Sequence, residues 1–413
     1  MTTVIVGAGH AGFQGAATLR QRGYEGAITL VAGELGLPYQ RPPLSKDLLH
    51  GETTAEAVAF RPAAFYEKKG IGLRAGDPVT GIDRGARHVD LASGTRLPYK
   101  QLVIATGARN RELAVPGTDL DGVLALRSLT EAKALAERLG AARSVAVIGG
   151  GFIGLEVAAA ANQHGARVTV IEALERTMAR VVSPLMAAHV TGVHEQHGTA
   201  VMLGGRVAAL LDDGDGRVAG VELKDGSRVE ADLVVVAVGI VPDVELADAA
   251  GLRLENGIVV DEHLRTEDPA IWAIGDCAAF PLPNGGARVR LESVQNAADH
   301  ARTAAAGILG SSIPYDATPW FWTNQHSCRV QIAGLVAGHD EAVVRGDRSA
   351  GAFSVFCFRG DDLLGVESVN APRDHLAARK LLAGRTTLSR EQAADPASDL
   401  KALAAAGQPD PVA

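Results

Sequence analysis

Two short runs of glycine hold the clearest chemistry in this 413-residue chain. Gly7-Ala8-Gly9-His10-Ala11-Gly12 follows the apolar run Val4-Ile5-Val6, and Gly149-Gly150-Gly151-Phe152-Ile153-Gly154 follows Val145-Ala146-Val147-Ile148. In a turn of this kind the first glycine permits the tight reversal and the second lets backbone N–H groups approach a pyrophosphate. The third lets the following helix pack close to the strand. The N-terminus of that helix then faces the anion. A carboxylate at the end of the next strand accepts ribose hydroxyls, and Glu34 and Glu172 are the candidates.

Other residues extend this chemistry. Leu37-Pro38-Tyr39-Gln40-Arg41-Pro42-Pro43-Leu44-Ser45-Lys46 sets two adjacent prolines between two cations, so a stiffened loop could present Arg41 and Lys46 to a phosphate or a flavin ring. Asp276 follows Gly275 at the end of a short apolar strand, where a carboxylate suits sugar-like hydroxyls or caps a helix. The chain has only three cysteines, Cys277, Cys328 and Cys357, and none in residues 1–276. Their spacing indicates neither a disulfide scaffold nor a zinc or other metal site, and Cys277 reads as a small buried side chain.

The elements that must position these residues are legible as a repeat. A helix over Phe13–Arg22 and a strand over Ile28–Val31 follow the first turn; a helix over Leu155–His164 and a strand over Val168–Ile171 follow the second. Each half then shows an alternating meander, 79–98 and 207–229, and a buried strand ending in a glycine turn, at Ala105-Thr106-Gly107 and at Gly239. A helix is predicted over Glu292–Ile308. Beyond Pro314 the pattern changes: Val330–Ala333, Phe353–Phe358 and Leu363–Val369 read as antiparallel strands, with a helix over Arg373–Leu382 and a frayed tail at 406–413. The fold class is therefore α/β, two Rossmann-like dinucleotide folds, with a C-terminal α+β domain.

Composition narrows the function further. An apolar content of 47% supports sizeable cores, and a formal charge of -8 without a dense basic run argues against nucleic acid as the main partner. No apolar run approaches the roughly 20 residues of a membrane span. The first strand begins at Thr3 or Val4, which leaves no room for a signal peptide, and a cytoplasmic protein is expected.

In order along the chain, both glycine turns, the Arg41 to Lys46 loop, Ala105-Thr106-Gly107, Ala273-Ile274-Gly275-Asp276, Glu292-Ser293-Val294-Gln295-Asn296-Ala297 and Pro319-Trp320-Phe321-Trp322 resemble the FAD- and NADH-dependent ferredoxin reductases. These are glutathione-reductase-like flavoproteins. The resemblance covers residue 3 to about 385. It implies an FAD domain of residues 1–112 and 241–312, an NADH domain of 113–240, and a flavin-capping domain of 315–405. It assigns Gly7, Gly9, Gly12, Glu34, Arg41, Lys46, Ala105, Thr106, Gly107, Asp276 and Val294 to FAD, and Gly149, Gly151, Gly154, Glu172 and Gly239 to NADH. Lys46 is expected to pair with Glu156 near the flavin, and Trp322 to lie beside the ring.

Without a cysteine pair in the first 276 residues, electrons must leave the flavin directly. The resemblance implies hydride transfer from NADH followed by single-electron transfer to a [2Fe-2S] ferredoxin serving a monooxygenase or dioxygenase. A rubredoxin reductase and an NADH-sensing flavoprotein are the alternatives. An acidic ferredoxin implies a basic docking surface, for which Arg290, Arg302, Arg329, Arg345 and Lys401 are candidates. Arg176 and Arg180 are cations that could fold back onto a 2′-phosphate, but they read as solvated or salt-bridged helix residues. Two positions depart from the family: Asn324 replaces an acidic residue, and Gly33 replaces another, leaving Glu34 or backbone for the adenosine ribose. The sequence is silent on oligomeric state.

Overall fold

The computed structural model describes residues 2–282, 287–311 and 313–406. The expected frayed end, 406–413, lies outside the described residues apart from the last helical position, and so does the centre of the Pro281–Arg288 loop. The chain sorts into two compact units, one of residues 1–41, 54–109 and 240–317, the other of 42–53, 110–239 and 318–413.

The first unit is built on a five-stranded sheet in the order Ile271–Ala273, Gln101–Ile104, Thr2–Val6, Ala27–Ala32, Ile71–Ala75. All four pairings are parallel. Strands covered on both faces carry continuous apolar runs, which is why Val4, Ile5, Leu102 and Ile271 are fully buried. The helix His10–Gln21 begins three residues before the expected Phe13, because Gly9 is its N-cap and the turn residues after it are already helical. The helix Val294–Ile308 packs against it. It starts two residues later than expected, where the Ser293 hydroxyl accepts the Asn296 N–H at 3.0 Å. Gly307 is required here: a Cβ on it would stand 2.4 Å from the Trp272 ring. The meander is present as Val79–Asp83, His88–Leu91 and Arg96–Pro98.

The second unit repeats the plan. Its parallel sheet has the order Ala200–Leu203, Arg167–Glu172, Ser144–Ile148, Leu233–Val236, Val123–Ala125, with a three-stranded meander over Val207–Glu230. The same unit contains a five-stranded antiparallel sheet, ordered Trp320–Gln325, Cys328–Gly334, Asp362–Val369, Ala352–Arg359, Glu341–Asp347. The helix Pro372–Ala383 packs on it through Ala377, Ala378 and Leu381. Several helices have no counterpart in the sequence reading, and the two longest of them carry start signals. Leu129–Leu139 opens with a Ser128/Glu131 capping box, and Pro184–Gln196 opens with Ser183 as cap and Pro184 at the first position.

Candidate active site

The two glycine turns have nearly the same construction. Gly7 has φ +101°, and a Cβ there would lie 2.2 Å from the Ala105 carbonyl oxygen; Gly149 has φ +110°, and its Cβ would lie 2.3 Å from that of Ala237. A Cβ on Gly12 would meet the Gly7 oxygen at 1.8 Å, and one on Gly154 the Gly149 oxygen at 2.0 Å. Only the middle glycines, Gly9 and Gly151, face open space within 4 Å. Each is also the N-cap of its helix with no side-chain cap bond. Each turn thus leaves an uncapped helix start beside an open volume, the form a pyrophosphate requires, and FAD and NAD(H) fit these residues.

The acidic positions differ between the two halves. Glu172 ends its strand, and its carboxylate accepts the N–H groups of Gly150 at 2.8 Å and Leu174 at 2.9 Å. A Cβ on Gly150 would lie 3.1 Å from the Thr177 methyl and 3.2 Å from the Glu172 carboxylate, a close approach to two side-chain ends. The first half has Ala8 and Ala32 at the equivalent places, given that Val31 and Ile171 both receive the first-glycine N–H. Glu34 stands two residues further on, 43% exposed, and accepts from Tyr39 Oη at 2.5 Å and from Arg41 at 3.0 Å.

Arg41 and Lys46 pair with different carboxylates. Arg41 pairs with Glu34, whereas Lys46 lies in the second unit with its Nζ 2.7 Å from Glu156 Oε1. The Pro42–Ser45 segment forms a single 3-10 turn that places Ser45 and Lys46 together over the helix Phe152–Gln163. Glu156, 2% exposed, also accepts from Thr323 Oγ1 at 2.5 Å and from the Ser45 hydroxyl. The expected ion pair is therefore present with two hydroxyl donors that the sequence did not reveal. Strand alternation turns Thr323 and Gln325 inward and Asn324 to solvent, so the Asn324 departure lies on the face away from Glu156. Trp322 is half-buried, its ring 5.5 Å from that of Trp320, which is itself covered by the Arg379 guanidinium at 4.5 Å.

The remaining expected positions are in the first unit or at the end of the second sheet. The Ala105 N–H donates to the Val6 carbonyl, Thr106 donates to the Asp243 carbonyl at 2.6 Å, and Gly107 has φ +77°. Asp276 sits half-buried in a single 3-10 turn, Gly275–Cys277, and Val294 is the first residue of its helix. Gly239 has φ +101° and accepts the Arg111 N–H at 2.9 Å. All three cysteines are free and buried, and burial pushes each thiol up.

Two docking candidates are corrected. Arg345 is buried, paired with Asp374 at 3.5 Å, and its guanidinium is taken by the carbonyls of Gln392, Asp395, Pro396 and Ser398. Arg290 is 9% exposed and paired with Glu292 at 2.8 Å. Neither offers a charge to a partner, because both guanidinium groups are turned inward to satisfy local oxygens. Arg302, Arg329 and Lys401 remain on the surface. Among the described residues no helix is long and apolar enough to cross a membrane.

Two Rossmann-like folds with matched pyrophosphate cradles, a buried lysine-carboxylate pair and no paired thiols define a flavin- and pyridine-nucleotide-dependent oxidoreductase that works without a redox disulfide. Residues 1–301 match the pyridine nucleotide-disulphide oxidoreductase model and residues 320–404 the reductase C-terminal model. The chain is 52% identical to rhodocoxin reductase of Rhodococcus erythropolis over 97% of its own length and 94% of that protein. It superposes on the ferredoxin reductase for the CYP199A2 system of Rhodopseudomonas palustris with a TM-score of 0.96 at 47% identity, covering 98% of this chain and 99% of that one. The reductase in a covalent putidaredoxin reductase-putidaredoxin complex gives a TM-score of 0.94 at 38% identity, with 98% of both chains covered. The chain belongs to the pyridine nucleotide-disulphide oxidoreductase family, in its ferredoxin reductase group.

Proposed function

We propose that this chain is the NADH-dependent ferredoxin reductase of an oxygenase system, carrying electrons from NADH to a [2Fe-2S] ferredoxin. The observation that carries the reading is that its only thiols are three single, buried cysteines, so electrons have no disulfide through which to leave. Bound FAD supplies the conversion of one hydride into two single-electron transfers.

The chain's own residues supply binding, orientation and charge. Gly7, Gly9 and Gly12 hold the FAD pyrophosphate, with Glu34, Arg41, Ala105, Thr106, Gly107, Asp276 and Val294 as the further FAD contacts. Gly149, Gly151 and Gly154 hold that of NADH, and Gly239 borders it. Glu172, held by two backbone amides, presents its carboxylate to the adenosine ribose and opposes a 2′-phosphate. Lys46 provides the positive charge that supports the reduced flavin, Glu156 fixes where that charge sits, and Trp322 covers the ring. The domain layout follows: FAD over 1–112 and 241–312, NADH over 113–240, a capping domain over 315–405. Three free thiols suit the cytoplasm.

The test is anaerobic mixing of the purified yellow protein with NADH, then addition of a [2Fe-2S] ferredoxin with cytochrome c as final acceptor, and rubredoxin in a parallel run. Rapid bleaching with ferredoxin-dependent cytochrome reduction is expected. Turnover with rubredoxin alone reassigns the partner, and slow bleaching with neither carrier overturns the enzymatic reading.

A further inference from the structure

The hydrogen bonds on Glu156 do not stop at Thr323. The Thr323 hydroxyl has one proton, and at 2.5 Å from Glu156 Oε1 it is donated to that carboxylate. Its lone pairs then accept Gln325 Nε2 at 3.1 Å. This decides the orientation of the amide, since the reverse orientation would bring two acceptors together. The Gln325 carbonyl consequently faces His194 Nε2 at 3.0 Å, and that nitrogen must carry the proton. Every member is buried: Glu156 is 2% exposed, Thr323 0%, Gln325 1% and His194 0%. All donors in the line point the same way, toward the carboxylate that holds Lys46.

We propose that His194 is a positioning residue for the Lys46-Glu156 pair, acting through Gln325 and Thr323. The inference rests on the reading above that this pair serves the flavin. A buried line of this kind costs much if half satisfied and holds one arrangement if complete. The far end of the line is closed by ring packing, with His194 Nδ1 and His326 Nε2 buried without a hydrogen-bond partner. His326 occupies the hairpin turn between Gln325 and Cys328 with φ +50°, a left-handed conformation uncommon outside glycine that histidine adopts more readily than most residues. It is held there against His194, with ring centroids 4.7 Å apart, and against His197, stacked at 4.0 Å. Burial lowers the pKa of His194, and the charge of His197 opposes its protonation, while the Gln325 bond works in the other direction. His326 is likewise held down, by burial and then by His194, His197 and His50. His194 is thereby a neutral imidazole with its one proton committed to Gln325.

Two measurements on the full-length holoprotein decide the matter. Long-range 1H–15N spectra of the imidazoles read the tautomer directly. The wild type is expected to show His194 protonated at Nε2, and Thr323→Val, which removes the hydroxyl at nearly constant shape, to give a mixed tautomer. Loss of one such donor is expected to slow NADH-dependent flavin bleaching about fivefold at saturating NADH. The NADH KM stays where it was. Thr323→Ser, which keeps the hydroxyl, restores both readouts and separates the effect from a folding defect. His194 protonated at Nδ1, or Thr323→Val with an unchanged tautomer and rate, overturns the proposal. A wild type whose flavin NADH does not bleach overturns the functional reading instead, and the spectrum still decides the line of hydrogen bonds.

Discussion

Lys46 Nζ lies 2.7 Å from Glu156 Oε1, with 14% of the lysine side chain and 2% of the glutamate side chain exposed. Truncating one partner of a buried pair leaves an uncompensated charge, at a cost of roughly 3–5 kcal/mol. Lys46→Ala leaves Glu156 with two hydroxyl donors and no cation. A lower melting temperature is expected, together with loss of FAD or at least about tenfold slower reduction by NADH, about 1.4 kcal/mol in barrier. Stopped-flow bleaching and the ratio of flavin to protein absorbance measure these effects, and unchanged values exclude the assigned role.

The three glycines of the first turn separate folding from cofactor binding. Gly12→Ala forces a methyl to 1.8 Å from the Gly7 carbonyl oxygen and is expected to yield little folded protein. Gly9→Ala meets nothing within 4 Å, and Gly9 has φ -70°, which alanine adopts freely. This variant is expected to fold but to purify colourless, since its methyl fills the volume assigned to the pyrophosphate. Circular dichroism and flavin absorbance distinguish the outcomes, and a fully yellow Gly9→Ala protein refutes the assignment.

Cofactor choice turns on Glu172. A preference for NADH over NADPH of at least about tenfold, or about 1.4 kcal/mol, is expected in kcat/KM. Glu172→Ala is expected to narrow this preference without reversing it. Arg176 does not become a phosphate ligand, because its guanidinium already donates to the Val182 and Ala179 carbonyls at 2.8 and 2.7 Å. Equal efficiencies in the wild type contradict the role of Glu172, and an NADPH preference in the variant contradicts the role of Arg176.

Acid is expected to destabilise the protein through its buried imidazoles. Burial pushes His300 down to about 3, and burial with neighbouring positive charge pushes His326 and His375 down to about 4. An unfolded histidine takes up its proton near 6.5 while these folded ones do not, so stability falls as pH drops from about 6.5 toward about 4. A fully buried group changes stability by about 1.4 kcal/mol per pH unit in that window. Asp243, pushed up to about 6 by burial and by Glu245, works in the opposite sense. Glu245, pulled down to about 2 chiefly by Arg109, titrates only below about pH 4.5 and leaves the comparison between pH 5 and 7.5 unchanged, where the three imidazoles outweigh the single carboxyl of Asp243. The melting temperature is expected to be lower at pH 5 than at pH 7.5, and an equal or higher value at pH 5 counts against this account.

What the sequence determined by itself is what depends on neighbours along the chain. Val4-Ile5-Val6 before Gly7, and Val145 to Ile148 before Gly149, specify strand, tight turn and helix locally, so both cradles and the parallel sheets around them were legible. The lack of any cysteine in residues 1–276 pointed away from a disulfide relay in the same way. The tertiary structure decided which groups meet. Arg41 and Lys46, five positions apart, end on different carboxylates, Glu34 and Glu156, because the chain passes from one compact unit to the other between Arg41 and Pro42. Thr323 reaches Glu156, and Asn324 does not, through the register of one strand. Arg345 looked like a surface cation and became a buried clamp on four backbone carbonyls. Such partners are distant in sequence and are joined only when the sheets close, so no local pattern records them.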